Sequence, residues 1–308
     1  MTSVVDRQAH GEAAFGPPTP GGGALRSVTL RYTAHMFADV HARVLRNERL
    51  TAGYNVLALE APALAAGVEP GQFVMIRTAP GTDPLLRRPF SVFEVLREGT
   101  EVIGFSILNK RAGVGTSRLA EASVNERFWC LGPLGHPFSL AAARSEAWMV
   151  AGGVGLAPFA TLAERLREQG TVPRLFYGAR TADELFRVEL FESLGVLVEI
   201  ATEDGSRGTP GRVTAPLAAA IDGLAEGDAV TLYACGPSAM MQAVATMARS
   251  SGRDVEVSLE QVMGCGTGGC YSCVVGVRRD GRTRYVRSCL DGPVFSSAEL
   301  DWSTVGAH

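Results

Sequence analysis

Four cysteines near the C-terminus constrain the fold of this chain more than any other feature. They are Cys265, Cys270, Cys273 and Cys289, spaced C-x4-C-x2-C-x15-C. Three glycines stand between the first and the second cysteine. Because glycine reaches positive φ without a steric penalty, such a loop curls readily and turns its amide N–H groups towards the sulfurs. A segment of this kind folds around a metal centre or closes through disulfides.

The spacing favours one metal centre over its alternatives. The first three cysteines match the C-x4-C-x2-C run of plant-type [2Fe–2S] clusters, which four thiolates hold. A four-cysteine zinc site usually has two C-x2-C pairs, and this segment has one. Disulfides are the third alternative, although nothing marks the chain as secreted. The two other cysteines, Cys130 and Cys235, lie far away in the sequence.

Length and composition suit about two domains and a small module. The chain has 308 residues, of which 46% are hydrophobic and 20% charged, as expected for a protein with a sizeable core. The net charge of −3 indicates neither a nucleic-acid nor a membrane partner. No apolar run reaches about 18 residues, so we expect no spanning helix. The N-terminus does not resemble a signal peptide, and the free cysteines favour the cytoplasm.

The sequence pattern divides the chain into a tail and three folded regions. Residues 1–36, which are rich in glycine, proline and alanine, predict a disordered tail. Residues 37–143 contain short β-branched segments between turns, which predicts a small antiparallel β-barrel. Residues 144–252 alternate apolar strands with helical segments, which predicts a doubly wound α/β domain with a parallel sheet. Residues 253–308 hold the cysteine module.

Apolar periodicity predicts the individual elements as well. The predicted barrel strands are 39–50, 54–60, 72–77, 90–96, 101–108 and 126–131, with one helix at 115–122. The predicted strands of the α/β domain are 147–150, 174–177, 197–201 and 229–234, with helices at 157–169 and 238–250.

A short motif at the start of a barrel strand predicts a flavin site. It reads Arg88-Pro89-Phe90-Ser91 and follows a loop rich in glycine, aspartate and proline. An arginine at this position can bind a phosphate bidentately, and the serine hydroxyl can bond a flavin ring nitrogen. A strand that starts with a solvated arginine explains the motif equally well.

A second segment supports the flavin interpretation. Asn109 and Lys110 lead towards Gly115 and Thr116 at the start of the predicted helix. Amide N–H groups at a helix N-terminus favour a pyrophosphate. The turn at residues 132–135, Gly-Pro-Leu-Gly, then closes the barrel or simply joins two domains.

A glycine-rich turn after an apolar strand predicts a nicotinamide dinucleotide site. Gly153, Gly155 and Pro158 form G-x-G-x-x-P, which differs from the G-x-G-x-x-G fingerprint of Rossmann folds. The glycines let the backbone approach a diphosphate, and the proline suits the first turn of the following helix. A purely structural turn is the alternative.

Other strand ends point to the same crevice, since ligands of open α/β sheets bind at the carboxyl ends of strands. Cys235, Gly236 and Pro237 follow one strand, and Cys235 is expected near the nicotinamide ring or is an ordinary buried cysteine. Residues 202–206 line the crevice or form a solvated turn. Arg180 either binds the 2′-phosphate of NADP or is solvated, so the sequence leaves open whether the cofactor is NAD or NADP.

The order of these regions, with their motifs, resembles the ferredoxin-reductase superfamily and, more narrowly, the electron-transfer subunit of class 1B dihydroorotate dehydrogenase. The resemblance covers about residues 38–300. Its most specific part runs from residues 258–260, Ser-Leu-Glu, through the cysteine loop to residues 291–295, Asp-Gly-Pro-Val-Phe. The chain departs from the pattern at Phe90, where the superfamily often has tyrosine, and at Glu203, where the family often has aspartate. The tail is not part of it.

The resemblance implies an antiparallel β-barrel FAD domain, an α/β NAD domain and a C-terminal [2Fe-2S] module. In that family an FMN-dependent dihydroorotate dehydrogenase catalytic subunit oxidises dihydroorotate in pyrimidine biosynthesis. Its electrons pass singly to the cluster and then to FAD, which reduces NAD+. A heterotetramer with this catalytic subunit is expected.

The resemblance also implies the contacts of each cofactor, while no side chain is expected to act as a general acid or base. The four cysteines would bind the cluster, with Arg88 on the FAD phosphate, Ser91 by the isoalloxazine, and Gly115 and Thr116 at the pyrophosphate. The expected contacts are Arg88, Pro89, Phe90, Ser91, Asn109, Lys110, Gly115 and Thr116 for FAD, and Gly153, Gly155, Cys235, Gly236 and Pro237 for NAD.

Two other functions remain open on the sequence. One is an FAD/[2Fe-2S] NAD(P)H reductase subunit that serves a ferredoxin, a hydrogenase or another redox partner, because the differences lie in the partner surface. The other is a zinc-stabilised binding module on a scaffold without flavin.

Overall fold

The computed structural model of the chain describes residues 37–142, 145–225 and 227–306. The predicted tail, residues 1–36, lies outside them. The strands of the described residues form two seven-stranded sheets and one two-stranded hairpin. None of the helices in these ranges is long and apolar enough to cross a membrane.

The first sheet is antiparallel, and its strands follow the spatial order β4-β3-β7-β1-β2-β6-β5. The strands are β1 (Ala38–Arg49), β2 (Tyr54–Glu60), β3 (Phe73–Arg77), β4 (Arg88–Ser91), β5 (Glu94–Glu98), β6 (Glu101–Lys110) and β7 (Arg127–Leu134). Alternate side chains point to one face, as the pleat requires, and bury Val44, Leu57, Ile76 and Phe105 in a common core. The curled antiparallel sheet expected for the first folded region is confirmed.

Two short helices, α1 (Pro62–Ala65) and α2 (Val114–Ala120), accompany this sheet. Asparagines on the strands hold α2 at both of its ends. Asn47 Nδ2 donates to the carbonyl oxygen of Ala122 at 2.8 Å, and Asn109 Nδ2 donates to that of Thr116 at 2.9 Å. The position of α2 is therefore set by the sheet.

The second sheet follows the order β11-β10-β9-β8-β12-β13-β16. Its strands are β8 (Glu146–Gly152), β9 (Pro173–Ala179), β10 (Leu197–Thr202), β11 (Thr209–Pro210), β12 (Val230–Cys235), β13 (Val255–Ser258) and β16 (Val294–Ser296). All neighbours pair in parallel except β13 and β16. The order reverses between β8 and β12, and ligands of such sheets bind at this kind of switch point.

Helices cover both faces of the second sheet, so the doubly wound prediction is confirmed. On one face α3 (Phe159–Glu168) and α4 (Val188–Ser193) contribute Phe159 and Phe191 to a core. On the other face α5 (Thr214–Asp222) and α6 (Ser238–Ser250) contribute Leu217 and Val244.

The cysteine loop lies between β13 and the hairpin of β14 (Val274–Arg279) and β15 (Arg282–Arg287), and α7 (Ser288–Asp291) follows the hairpin. The strands β13 and β16, which flank these elements in the chain, complete the second sheet. The module is thus built onto the α/β domain. The division of the chain after residues 143 and 252 stays a prediction.

One predicted strand, 90–96, is two strands in the structure. The backbone N–H of Val92 donates to the carbonyl of Gln72, while that of Phe93 donates to the carbonyl of Ser106. The chain therefore changes partners between these two residues, from β3 on one side to β6 on the other. The β-branched and aromatic residues of this stretch suit a strand throughout, so the sequence carries no sign of this change.

Candidate functional site

The four cysteines come together in the structure as two pairs. Cys265 and Cys270 are neighbours, since Ser272 and then Cys265 lower the pKa of the Cys270 thiol, and Cys270 is exposed. Cys273 and Cys289 form the second pair and are both buried. Backbone N–H groups also point at sulfur, from Thr267 to Cys265 Sγ and from Cys289 to Cys273 Sγ, each at 3.4 Å. None of the six cysteines forms a disulfide.

This donor set fits a two-iron cluster, in which each iron takes two cysteine ligands. Within the described ranges no three Cys, His, Asp or Glu side chains form a group that could hold a metal ion, whereas a two-iron cluster needs only two thiolates at each iron. A hydrogen bond with Ser272 lowers the pKa of Cys270 to about 6, and one with Cys289 lowers the pKa of Cys273 to about 6. The hydrogen bond between Cys273 and Cys289 raises the pKa of Cys289, so Cys270 and Cys273 are the sulfurs that favour the thiolate, the form that binds metal.

The cysteine loop packs directly on the first sheet. Cys273 and Cys289 share an apolar cluster with Phe73 and Met75 of β3. Gly266 has φ +75°, and a β-carbon there would lie 2.5 Å from Met75 Cγ. Only glycine fits this contact without displacement, because the backbone conformation and the space both exclude a side chain.

The strand β4 holds the predicted flavin motif and pairs with β3. Ser91 lies opposite Phe73, Pro89 opposite Met75 and Arg88 opposite Ile76. Since Phe73 and Met75 also share an apolar cluster with the buried cysteine pair, β3 is common to the surroundings of the motif and of the cysteines. The structure thus brings two of the predicted sites within one strand of each other.

Arg88 keeps hydrogen-bonding capacity for a ligand. Its Nη1 donates to the carbonyl of Leu86 at 2.6 Å and to that of Arg87 at 3.3 Å. Among the described residues, Nε and Nη2 have no acceptor. Arg87 differs, because both of its terminal nitrogens bond Asp39, at 2.9 and 2.7 Å.

Thr78 is a candidate that the sequence analysis missed. Its hydroxyl is fully buried and has no hydrogen-bond partner in the described part of the chain. A β-carbon at Gly115 would stand 3.0 Å from this oxygen and 3.4 Å from Arg88 Nε. Buried polar atoms normally have a hydrogen-bond partner. The unsatisfied Thr78 hydroxyl, the unpaired Nε and Nη2 of Arg88 and the absence of a side chain at Gly115 therefore fit a phosphate group. No sequence pattern marks Thr78, because it lies well before the motif in the chain.

Asn109 and Thr116 already have structural partners. Asn109 is fully buried and donates to Asn55 Oδ1 at 2.7 Å as well as to α2, whereas its own Oδ1 has no partner in the described residues. The Thr116 hydroxyl accepts from the N–H groups of Ala112 and Gly113, at 2.8 and 3.0 Å. Their contact with FAD stays a prediction, and the bonds seen shape the loop before α2.

The predicted nicotinamide site opens into a pocket of about 550 Å³ at the switch point of the second sheet. Gly153, Gly155, Gly236 and Pro237 all line it, as the sequence pattern predicts. Gly153 has φ +55° and no atom within 4 Å of the position of a β-carbon, so its backbone is open to a ligand. This volume lies in the usual range for cofactor sites.

Gly155 has a different role from Gly153. A β-carbon at Gly155 would lie 2.2 Å from the carbonyl oxygen of Cys235 and 2.6 Å from Gly236 N. The absence of a side chain therefore lets the turn after β8 approach the turn after β12. Cys235 itself is 8% exposed, and burial followed by the charge of Glu260 raises its pKa to about 12. It is a neutral thiol.

The first sheet also contributes to this pocket. Tyr54 and Lys110 line it, with Lys110 Nζ 5.9 Å from the centre of the Tyr54 ring. Arg180 and Glu203, both candidates for this crevice on the sequence, also line it. Other lining side chains belong to no recognisable motif, among them Glu184, Arg212 and Met240. The sequence pattern therefore marks the glycine turns of this site and only part of its walls.

Arg180 lies on the pocket wall and is paired. Its Nε donates to Glu184 Oε2 at 3.0 Å, and its Nη2 contacts the other carboxylate oxygen. That hydrogen bond is the main cause of the lowered pKa of Glu184. A paired arginine beside two carboxylates is a poor receptor for a 2′-phosphate, because the phosphate must displace or approach negative charge.

Two family models match the chain. The iron–sulfur cluster binding domain of dihydroorotate dehydrogenase B matches residues 260–301, which include all four cysteines. The oxidoreductase NAD-binding domain matches residues 149–246, which include both glycine turns of the pocket.

Curated relatives cover most of the chain. A dihydroorotate dehydrogenase B (NAD(+)) electron transfer subunit of Bacillus caldolyticus is 40% identical over 234 residues, 75% of this chain and 86% of the relative. The subunit of the same description from Desulforamulus reducens is 35% identical over 262 residues, 85% of this chain and 97% of the relative.

Solved structures agree with the fold. The structure of an NADH-dependent reduced ferredoxin-NADP oxidoreductase has a TM-score of 0.74 and 29% identity, and the match covers 87% of this chain and 92% of the other. Phthalate dioxygenase reductase, with a TM-score of 0.54, 17% identity and coverage of 85% and 96%, shows the fold alone.

Proposed function

The chain belongs to the family of dihydroorotate dehydrogenase B electron-transfer subunits, and from this membership we propose that it carries electrons from a dihydroorotate-oxidising partner to NAD+. The partner is an FMN-dependent catalytic subunit, and the process belongs to pyrimidine biosynthesis. When bound, the [2Fe–2S] cluster moves single electrons, and FAD exchanges them for a hydride. The chain itself supplies binding, orientation and insulation from water.

The cysteines hold the cluster in this proposal. The pairs Cys265 with Cys270, and Cys273 with Cys289, supply two thiolates to each iron. The chemistry of this donor set supports the assignment, as does the iron–sulfur family model that spans it. The loop glycines keep the backbone close, as the tight contact of Gly266 with Met75 illustrates.

FAD lies along β4 and the turn before α2. Arg88 uses its free Nε and Nη2 to bind phosphate, and Thr78 donates its unsatisfied hydroxyl to the same group. Gly115 leaves room between them. Ser91 is half-buried and stands at the far end of β4, where it bonds the isoalloxazine ring.

NAD+ occupies the pocket at the switch point. The open backbone of Gly153 approaches the diphosphate, and Gly155 keeps the two turns together. Cys235, a buried and neutral thiol, directly precedes the pocket residues Gly236 and Pro237, and the nicotinamide ring is expected at this end of the pocket. Tyr54 and Lys110 extend the first sheet into this pocket, and Lys110 is also an expected FAD contact.

The position of β3 is the observation that carries the proposal. Phe73 and Met75 pair with the flavin motif on β4 and belong to the same apolar cluster as Cys273 and Cys289. Electron transfer between carriers needs short gaps, and the strand β3 is shared by the surroundings of both sites. A single chain thus connects a site for one-electron transfer with a site for hydride transfer.

The catalytic subunit docks over the exposed cysteine in this proposal, as part of a heterotetramer. Large apolar side chains surround Cys270 or border its loop, and they are largely exposed: Leu85 66%, Leu86 52%, Val262 62% and Tyr271 64%. A β-carbon at Gly264 would lie 3.7 Å from Leu86 Cδ1, so Leu86 borders the cysteine loop. Exposed apolar side chains grouped in this way mark interaction surfaces. The six free cysteines favour a cytoplasmic location.

Reconstitution with the purified catalytic subunit tests the function. Dihydroorotate should reduce NAD+ when both proteins are present, and neither protein alone should do so. Leu86→Asp should weaken the complex, whereas Val124→Asp, at an apolar residue of similar exposure that follows α2 in the chain, should not. Reduction of NAD+ by the catalytic subunit alone would contradict the proposal.

A second function is favoured by one observation, the 29% identity to the ferredoxin-NADP oxidoreductase structure over 87% of this chain. The chain would then exchange electrons with a ferredoxin. The same reconstitution with reduced ferredoxin in place of the catalytic subunit separates the two functions, because only the true partner supports NAD+ reduction at stoichiometric concentration.

A further inference from the structure

We propose that the hydroxyl of Ser272 donates a hydrogen bond to the sulfur of Cys270 and thereby raises the reduction potential of the cluster. This inference rests on the proposed function, because it concerns the cluster that the four cysteines hold. It assigns to one side chain a role in setting how readily the cluster accepts an electron.

Ser272 lies between Cys270 and Cys273 in the sequence, and its hydroxyl makes two contacts. Its Oγ accepts from the backbone N–H of Gly264 at 2.8 Å and lies 3.3 Å from Cys270 Sγ. A hydroxyl has one proton to donate and two lone pairs. Gly264 occupies a lone pair, so the proton remains for another partner. A cysteine that binds iron is a thiolate without a proton, and the bond therefore runs from Ser272 to Cys270.

Gly264 makes this arrangement possible. A β-carbon on it would lie 3.1 Å from Cys270 Sγ and 3.5 Å from Ser272 Oγ. The first of these distances is closer than most real contacts of a β-carbon, so a larger residue would press on the sulfur. With glycine, the backbone N–H lies near the hydroxyl and orients it towards the thiolate.

Ser272 differs from the other donors to these sulfurs. The bonds to Cys265 and Cys273 come from the backbone N–H groups of Thr267 and Cys289. In the described part of the chain, Ser272 is the one residue outside the four cysteines whose side chain bonds a cysteine sulfur of the loop. A substitution can therefore remove this bond alone, which is not true of the backbone bonds.

The direction of the effect follows from charge. A reduced cluster carries one more negative charge than an oxidised one, so a donor to a ligand sulfur stabilises the reduced form more. Hydrogen bonds to the sulfurs are among the factors that set cluster potentials. Loss of the Ser272 hydroxyl should therefore make the potential more negative.

The test is a redox titration of the cluster in the complete, cofactor-loaded chain, followed by electron paramagnetic resonance. At the wild-type midpoint, Ser272→Ala should lower the ratio of reduced to oxidised cluster about threefold to tenfold, where tenfold equals about 59 mV for one electron. Ser272→Thr keeps a hydroxyl and should titrate near the wild type. Ser193→Ala removes an exposed hydroxyl in α4, one that bonds the carbonyl of Leu190 and no cysteine, and should leave the potential unchanged.

An iron-loaded Ser272→Ala that titrates at the wild-type potential would overturn the proposal. If that variant holds no cluster, Ser272→Gly is titrated in its place. Failure of both to load while Ser272→Thr loads would also overturn it, because the hydroxyl would then be needed for assembly and not for the potential. Iron analysis of the wild type separates this result from a failure of the proposed function, in which the wild type itself would hold no iron–sulfur cluster.

Discussion

Gly266 in the cysteine loop lies so close to Met75 of β3 that a β-carbon on the glycine would stand 2.5 Å from Met75 Cγ. This contact joins the metal-binding loop to the strand that pairs with the flavin motif. The close approach of the cysteine loop to β3 therefore requires glycine at position 266.

Gly266→Ala should loosen this contact. The left-handed backbone at φ +75° costs about 1–2 kcal/mol for a residue with a β-carbon, and the clash with Met75 adds to this cost. We expect a lower free energy of unfolding in urea and fewer irons per chain. Gly269→Ala is the matched control, because that glycine has ordinary φ and open space around it. Equal iron content in the two variants would show that the contact is unimportant for the cluster.

Arg88→Lys should weaken FAD binding by about tenfold or more, because an ammonium cannot replace the two N–H groups that the guanidinium keeps free. The dissociation constant of FAD, measured by flavin fluorescence during dilution, gives the size of the effect. Arg87→Lys serves as the control, since Arg87 is bonded to Asp39 at 2.7 Å. If both variants bind FAD as the wild type does, Arg88 does not hold the phosphate.

Gly155→Ala should raise the Michaelis constant for NADH and lower stability. Its β-carbon would meet the backbone of Cys235 at 2.2 Å, and backbone atoms cannot move aside as a flexible side chain does. The turns after β8 and β12 would be forced apart. Gly223→Ala, where a β-carbon would meet only ordinary contacts of 3.5 Å or more, should leave NADH oxidation unchanged. An unaltered Michaelis constant in Gly155→Ala would contradict the role of this close approach.

Glu184→Gln should let the enzyme use NADPH better. The substitution removes the charge that pairs with Arg180 and frees its guanidinium for a 2′-phosphate. The ratio of kcat/KM for NADPH to that for NADH should rise several-fold. Glu168→Gln, on the exposed pair with Arg165 in α3, is the control and should not change the ratio. A ratio that stays the same in both variants would remove Arg180 and Glu184 from the specificity of the pocket.

The motifs that the sequence revealed are those in which one stretch of chain makes a whole local structure. The cysteine spacing, the glycine turns and the alternation of strands and helices are of this kind, and the structure brings their residues to common sites. Thr78 and Tyr54 were missed because each reaches its site across the sheet, from a strand or a strand end without a motif. Only the register of the strands places them.

A sequence motif also does not show that residues close to each other in it have different structural roles. Gly153 and Gly155 look alike in sequence, yet one is open to the pocket and the other packs on Cys235. Thr116 stays a predicted ligand of a pyrophosphate, and the structure adds that its hydroxyl bonds the backbone of its own loop. Such differences depend on tertiary contacts, which a single sequence does not display.

The most direct test of the whole account is one titration of anaerobically purified chain. Metal and flavin analysis should give about two irons per chain together with bound FAD, and NADH should bleach the flavin band and the iron–sulfur absorbance in the same titration. Zinc in place of iron, or a flavin band that bleaches while the iron–sulfur spectrum stays unchanged, would contradict the claim that this chain connects the two sites.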